Sequence, residues 1–213
     1  MQPDQQTPPI REKGAARLDL ISARPGTLEV IAGCMFSGKS EELIRRLRRA
    51  VYAKLKVQAF KPAIDDRWDG EKNGEIRSHD ARRISSVTVE SAREIEALIE
   101  PGTSVVGIDE AQFFDGYVVE LCNALSLRGL RVIAAGLDLD YLGNPFDPMP
   151  QLMATADEVT KVLAVCMQCG GPGSRSQRLV RSDERVLIGD ESIYEPRCRH
   201  CFAPGEVDVA KVS

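Results

Sequence analysis

An α/β fold, with a mostly parallel sheet flanked by helices and a small cysteine-bearing module behind it, is the class this sequence predicts. Three observations predict it. Gly33-Cys34-Met35-Phe36-Ser37-Gly38-Lys39-Ser40 fits the phosphate-binding pattern G-x-x-x-x-G-K-[ST], set between an apolar strand and a helix. Short β-branched runs then alternate with segments of helical periodicity, the pattern of parallel strands joined by crossover helices. Two C-x-x-C pairs follow, Cys166/Cys169 and Cys198/Cys201.

Composition sets the outer bounds. The chain has 213 residues, enough for one substantial domain and a small module. It is 43% hydrophobic and 28% charged, as ordinary globular proteins are. A net charge of −4 gives no push toward nucleic acid or an anionic membrane, so neither is expected as a partner. No apolar run approaches the roughly 18 residues of a membrane span, and no signal-peptide core is visible. A cytoplasmic, reduced chain is therefore expected, in which paired cysteines point to a metal rather than to disulfides.

Segment 1–25 is polar and carries prolines, a flexible-tail composition. Thr27-Leu28-Glu29-Val30-Ile31-Ala32 reads as the first strand, and Glu41 onward as a helix. Leu43, Ile44, Leu47, Ala50 and Val51 fall on one face of that helix. Arg45, Arg46, Arg48 and Arg49 fall on the other, as a solvated face or subunit contact rather than a nucleic-acid grip. Val57–Phe60 is a second strand stopped by Pro62, and the polar stretch from Asp69 to Asp80 reads as a loop. Ser91 and Glu94 form a capping box for a helix that turns Ile95, Leu98 and Ile99 inward. The run from Ser104 to Ile108 reads as a strand buried on both faces, delivering Asp109 and Glu110 at its carboxyl end. Tyr117, Val118, Leu121, Cys122 and Leu125 make a further inward stripe, and Val132–Ala135 another buried strand. A short helix around Leu152, Met153 and Ala156 precedes a last strand from Val159 to Val165.

Phosphoryl transfer needs positioned phosphates, a metal, and a group that orients the nucleophile. In the glycine-rich loop, backbone N–H groups curl around a triphosphate and the following helix adds the positive end of its dipole. Lys39 reaches the β- and γ-phosphates, and the Ser40 hydroxyl ligates Mg²⁺ accompanying ATP. Asp109, ending a buried strand, is the second acid at that metal, and Glu110 beside it is placed to accept a proton from the attacking group. If water attacks, the protein is an ATPase; if a substrate hydroxyl attacks, it is a kinase. The core's small size tilts toward a kinase. So do Phe113, Phe114, Tyr141 and Phe146, which lie in loops after strand ends and either build a slot for a planar base or anchor the loops. Arg67 either forks onto the transferring phosphates or pairs with Asp65 or Asp66. Cys166, Cys169, Cys198 and Cys201 have the spacing of two knuckles that ligate a structural Zn²⁺ tetrahedrally. The competing reading is a small P-loop ATPase whose zinc ribbon grips a nucleic-acid strand.

From Gly26 to Phe202 the chain resembles the type II thymidine kinases. The resemblance rests on Gly33-x-Met35-Phe36-Ser37-Gly38-Lys39-Ser40, Lys61-Pro62 with Asp65-x-Arg67, and Ile108-Asp109-Glu110-Ala111-Gln112-Phe113-Phe114. It continues through Gly136-Leu137-Asp138, Pro145-Phe146, Ser176-Gln177-Arg178, Ile188-Gly189, Tyr194 and the four cysteines. It implies a RecA-like P-loop NTPase domain over 26–165, a zinc-ribbon lasso domain over 166–205 and a tail over 206–213. It further implies transfer of the ATP γ-phosphate to the 5′-hydroxyl of thymidine or deoxyuridine in pyrimidine salvage, by a homotetramer under feedback inhibition by dTTP.

Residue by residue, Glu110 matches the general base of that family. Gly33 to Ser40, Asp65, Asp66, Arg67, Asp109 and Gln112 match the ATP and Mg²⁺ side. Met35, Phe113, Leu137, Tyr141 and Phe146 match the thymine pocket, while Ser176 and the backbone of Val186, Leu187, Ile188 and Gly189 match the lasso that reads the base. Tyr194 matches a sugar-side position. Cys34, Ser176 and Asp190 stand where proline, threonine and glycine are common in the family. Because the cysteine pairs tether both ends of the lasso, zinc removal is expected to weaken thymidine binding more than ATP binding.

Overall fold

The computed structural model describes residues 26–64, 75–77, 83–180, 187 and 192–205. Expectations for 1–25, 206–213, Asp65, Asp66, Arg67, Val186, Ile188, Gly189 and Asp190 lie outside these. The strands are β1 (Thr27–Gly33), β2 (Val57–Pro62), β3 (Glu75–Arg77), β4 (Arg83–Ser85), β5 (Val87–Val89) and β6 (Val105–Ile108). They continue with β7 (Arg131–Leu137), β8 (Glu158–Lys161), β9 (Ala164–Val165), β10 (Pro172–Gly173), β11 (Arg175–Arg178) and β12 (Tyr194–Arg197). The helices are α1 (Lys39–Tyr52), α2 (Ala92–Leu98), α3 (Tyr117–Leu127) and α4 (Met149–Thr155).

Six strands make one sheet in the order β5-β2-β6-β7-β1-β8, with every neighbouring pair parallel. This is the expected α/β class. Because the strands are parallel, the carboxyl ends of β1, β6 and β7 sit at one edge, with Gly33 opposite Leu137 and Ile108 opposite Ala134. Open α/β sheets place their ligands there.

Period-two alternation divides the core. Leu28, Val30, Ala32, Val106, Ile108, Val132 and Ala134 face α2, α3 and α4. Ile31, Ala59, Val105, Ile133 and Ala135 face Leu43, Ile44, Leu47 and Ala50 of α1. Central strands buried on both faces explain why β1, β6 and β7 read as continuous apolar runs.

Several expectations are corrected. Val51 does not complete the inward stripe of α1 but is 47% exposed. Arg46 is not on a solvated face: it is buried, with Nη1 donating to Glu29 at 2.7 Å, Nε to Glu42 at 2.8 Å and Nη2 to Thr160 at 2.8 Å. Arg131 grips the same Glu29 through Nε at 2.5 Å and Nη2 at 2.9 Å. A buried carboxylate requires such partners, and Glu29 on β1 therefore draws an arginine of α1 inward. Burial pushes its carboxyl up, but the hydrogen bonds and charges of Arg131 and Arg46 outweigh that and hold it below the usual range.

The capping box does not form as expected. Glu94 accepts from the Glu90 N–H at 3.1 Å while Ser91 makes no side-chain cap, and Leu98 is exposed. Within the stretch expected as a loop, β3 pairs antiparallel with β4. The expected strand from Val159 to Val165 divides in two: β8 ends on the sheet edge, and β9 turns away to pair with β10. The reason is that the Val162 N–H bonds to the carbonyl of Ala32 at 2.8 Å, and β1 ends one residue later, leaving no strand to follow.

Candidate active site

The phosphate-binding pattern folds on its own short-range bonds. The Ser37 hydroxyl and the Lys39 ammonium both donate to the Cys34 carbonyl, at 2.7 and 2.9 Å. Phe36 and Gly38 have φ values of 61° and 83°, and α1 opens at Lys39 directly after Gly38. The first N–H groups of a helix lack intrahelical partners, so this turn is an anion cradle. Gly33 is required by close approach: a Cβ there would lie 2.4 Å from the Val162 carbonyl oxygen.

β6 delivers the acids to the same edge. Asp109 Oδ1 accepts from the Ser40 hydroxyl at 3.3 Å and from the Glu110 N–H at 3.1 Å. Hydroxyl and carboxylate are thus close enough to share one hard cation, whose oxygen ligands they suit. Glu110 is buried, 9% exposed, in the left-handed backbone region at φ 48°. An L-residue with a long side chain is strained in that conformation, and such strain gathers at functional sites. Gln112, in the 3₁₀ turn Ala111–Phe113, donates through Nε2 to Glu110 Oε2 and accepts the Leu137 N–H on Oε1 at 2.9 Å.

The aromatics lie in the loops after β6 and β7. Phe113 and Phe146 meet edge to face with centroids 6.3 Å apart, both half-buried, as Leu137 and Tyr141 are. Phe114 is instead buried in the core cluster and anchors its loop. The Arg178 guanidinium stacks 3.5 Å from the centroid of Tyr141, and its Nη2 donates to the Tyr194 hydroxyl at 3.0 Å. Tyr194 in turn donates to the carbonyl of Leu187, also at 3.0 Å.

The cysteine module touches the phosphate loop directly. The Met35 N–H donates to the Ser176 hydroxyl at 3.0 Å, and the Cys34 thiol to the Gly173 carbonyl at 3.4 Å. Sγ atoms of Cys166, Cys169, Cys198 and Cys201 all lie within 4.8 Å of one another, and Cys169 and Cys198 are 3.7 Å apart. Tetrahedral zinc–thiolate bonds of about 2.3 Å place sulfurs roughly 3.8 Å apart, so the cluster fits Zn²⁺. Desolvation raises Cys166, but backbone hydrogen bonds at Cys198, Cys169 and Gln168 outweigh it and draw the thiol to about 6. Cys201 is pushed up to about 12, first by its hydrogen bond with Cys198, then by desolvation and the other thiols. Four crowded sulfurs ionise together only when a dication neutralises them.

With this geometry in place, relatives can be weighed. The description of the family Thymidine kinase matches residues 26–202. The chain belongs to the thymidine kinase family. The thymidine kinase of Bacteroides thetaiotaomicron is 52% identical over 84% of this chain and 88% of its own. That of Bdellovibrio bacteriovorus is 54% identical over 86% and 88%. A Rhodothermus thymidine kinase is 51% identical over 84% of this chain and 82% of its own. Among solved structures, the Legionella pneumophila ATPase DotB overlaps 65% of this chain and 37% of its own, with 17% identity and a TM-score of 0.36, too slight a likeness to bear on function. Membership makes the chain a nucleotide-dependent kinase, in a family that uses ATP with a metal, and sets aside the nucleic-acid-gripping ATPase.

The sheet edge thus brings together Gly33 to Ser40, Asp109, Glu110 and Gln112, with Met35 in contact with the cysteine module. Three residues sit differently from a simple reading of the motif. Gln112 engages Glu110 and a backbone N–H of β7, Ser176 holds the phosphate loop, and the Tyr194 hydroxyl is held between Arg178 and Leu187. Arg178 is a residue that sequence reasoning left without a role; an arginine in a Ser-Gln-Arg stretch carries no signal of the distant ring it will cover. No helix among the described residues is long and apolar enough to cross a membrane.

Proposed function

We propose that this protein transfers the γ-phosphoryl group of ATP to the 5′-hydroxyl of thymidine or deoxyuridine, yielding dTMP or dUMP and ADP. The observation that carries this reading is Glu110: a buried carboxylate in left-handed backbone, directly after an acid bonded to the phosphate-loop serine. Water-activating and hydroxyl-activating carboxylates look alike, and the half-buried edge-to-face pair of Phe113 and Phe146 favours a planar acceptor.

The 5′-oxygen attacks the γ-phosphorus as Glu110 takes its proton, and the bond to the bridging oxygen of ADP breaks in line. Lys39 and the backbone from Gly33 to Ser40 hold the phosphates, and Ser40 with Asp109 would hold Mg²⁺, which would supply positive charge to offset the negative charge developing in the transfer. Arg67, with Asp65 and Asp66, serves the phosphate side. Met35, Phe113, Leu137, Tyr141 and Phe146 hold the thymine, and the lasso with Ser176, Val186, Leu187, Ile188, Gly189 and Tyr194 closes over the nucleoside. Cys166, Cys169, Cys198 and Cys201 would hold a structural Zn²⁺, which would tie the lasso's ends together. The protein acts in the cytoplasm without a nucleic-acid partner, as a homotetramer inhibited by dTTP.

The deciding assay measures ADP release with Mg²⁺-ATP across a nucleoside panel. Release that depends on thymidine or deoxyuridine is expected. Release that proceeds equally without nucleoside overturns the proposal.

A further inference from the structure

Gln112 deserves a role of its own. It is 3% exposed and spans two partners that are far apart in sequence. Its Nε2 donates to Glu110 Oε2, and its Oε1 accepts the N–H of Leu137, the last residue of β7, at 2.9 Å. Leu137 pairs in register with Gly33, where the phosphate loop begins. Gly136 leaves room for the amide, since a Cβ there would lie 2.7 Å from Gln112 Oε1. The carboxylate of Glu110 is therefore gauged against the strand that neighbours the phosphate-loop strand.

A carboxylate on a strained backbone has rotamers to choose from, and a proton acceptor is effective only within a narrow approach to the hydroxyl it serves. We infer that Gln112 is a positioning residue, which fixes the orientation of the Glu110 carboxylate by tethering it to the backbone of β7. This rests on the reading of Glu110 as the base. It assigns Gln112 to the reacting hydroxyl's side of the site rather than to the nucleotide. The chemistry of the residue supports that assignment. A glutamine alone among side chains of this length donates to a carboxylate at one atom and accepts a peptide N–H at the other. Leucine would leave the Leu137 N–H unpaired, and glutamate would turn a like charge on Glu110.

Gln112→Glu keeps the acceptor for Leu137, removes the donor to Glu110 and sets a like charge beside it. The expected result is a kcat about 100-fold lower, with the KM values for ATP and thymidine within about threefold of the parent. In a Glu110→Gln background the same change lowers the residual rate by less than about twofold, since the group being positioned is already gone. Thermal melting and binding of a non-hydrolysable ATP analogue check that the variants fold. If Gln112→Glu does not fold, Gln112→Asn, which keeps the amide but cannot span both partners, replaces it with the same expected kcat-only loss. A kcat within about threefold of the parent overturns the inference, as does a loss carried by ATP KM or one that multiplies fully with Glu110→Gln. Glu110→Gln alone tests the underlying reading: if it retains full turnover, that reading fails, whereas a dead Glu110→Gln beside an active Gln112→Glu removes only Gln112.

Discussion

The phosphate side and the acceptor side of this site are held together in opposite ways. The phosphate loop is fastened by its own neighbours, with Ser37 and Lys39 both bonded to the carbonyl of Cys34. On the acceptor side, contacts join distant pieces of chain: Gln112 to Leu137, Arg178 to Tyr141, and Met35 to Ser176. A locally closed turn keeps its shape wherever the first strand and helix form. Of these, Arg178 to Tyr141 and Met35 to Ser176 exist only once the cysteine module has docked, so acceptor recognition depends on more of the fold than nucleotide recognition does.

The sharpest cut through that contrast is Glu110→Ala, which removes the proton acceptor and leaves the loop intact. Turnover should fall by about 10³-fold while ATP affinity stays within a few-fold. Steady-state kinetics with direct ATP binding checks this, and retained kcat takes the role from Glu110. Next comes zinc removal with Mg²⁺ kept in excess. Thymidine KM should rise by roughly tenfold or more and ATP KM by about threefold, because ATP senses the module only through bonds such as Met35–Ser176 and Cys34–Gly173. Equal losses on both sides would erase the distinction.

Smaller effects test single contacts. Arg178→Lys keeps the charge but loses the planar stack on Tyr141, and should raise thymidine KM about fivefold without moving ATP KM. Ser176→Ala removes the acceptor for the Met35 N–H and should raise ATP KM by about threefold, measurable in the same assay. The smallest effect lies far from the chemistry. Glu42 is held at about 2, first by its hydrogen bond to Arg45, against an ordinary value of 4.5. A carboxyl with a lowered folded value adds stability that is complete above 4.5 and drains away as pH falls toward 2, so melting temperature should decline across that window. Glu42→Gln should flatten part of this decline in a pH series of thermal melts.

The same contrast sets how much was legible in the chain. The motif from Gly33 to Ser40, the Asp109-Glu110 pair and the cysteine knuckles are contiguous, so their chemistry shows at once. β1, β6 and β7 were equally plain, because strands buried on both faces leave unbroken apolar runs. What stayed hidden depends on partners elsewhere. Arg46 turns inward for Glu29 on another element, and the break between β8 and β9 follows from where β1 ends. The antiparallel pair of β3 and β4 hides in polar sequence, and neither Gln112 nor Arg178 advertises the distant group it meets.

The bond from the Met35 N–H to Ser176 carries one further consequence. A contact shared by the donor's cradle and the acceptor's cover makes the two ligands thermodynamically linked. If closing the cover on a nucleoside firms the loop, the nucleoside strengthens ATP binding by some factor, and ATP must strengthen nucleoside binding by that same factor. Measured separately, the two affinities would then understate the ternary complex, and the shortfall would report the free energy passing through a single peptide N–H and its neighbours.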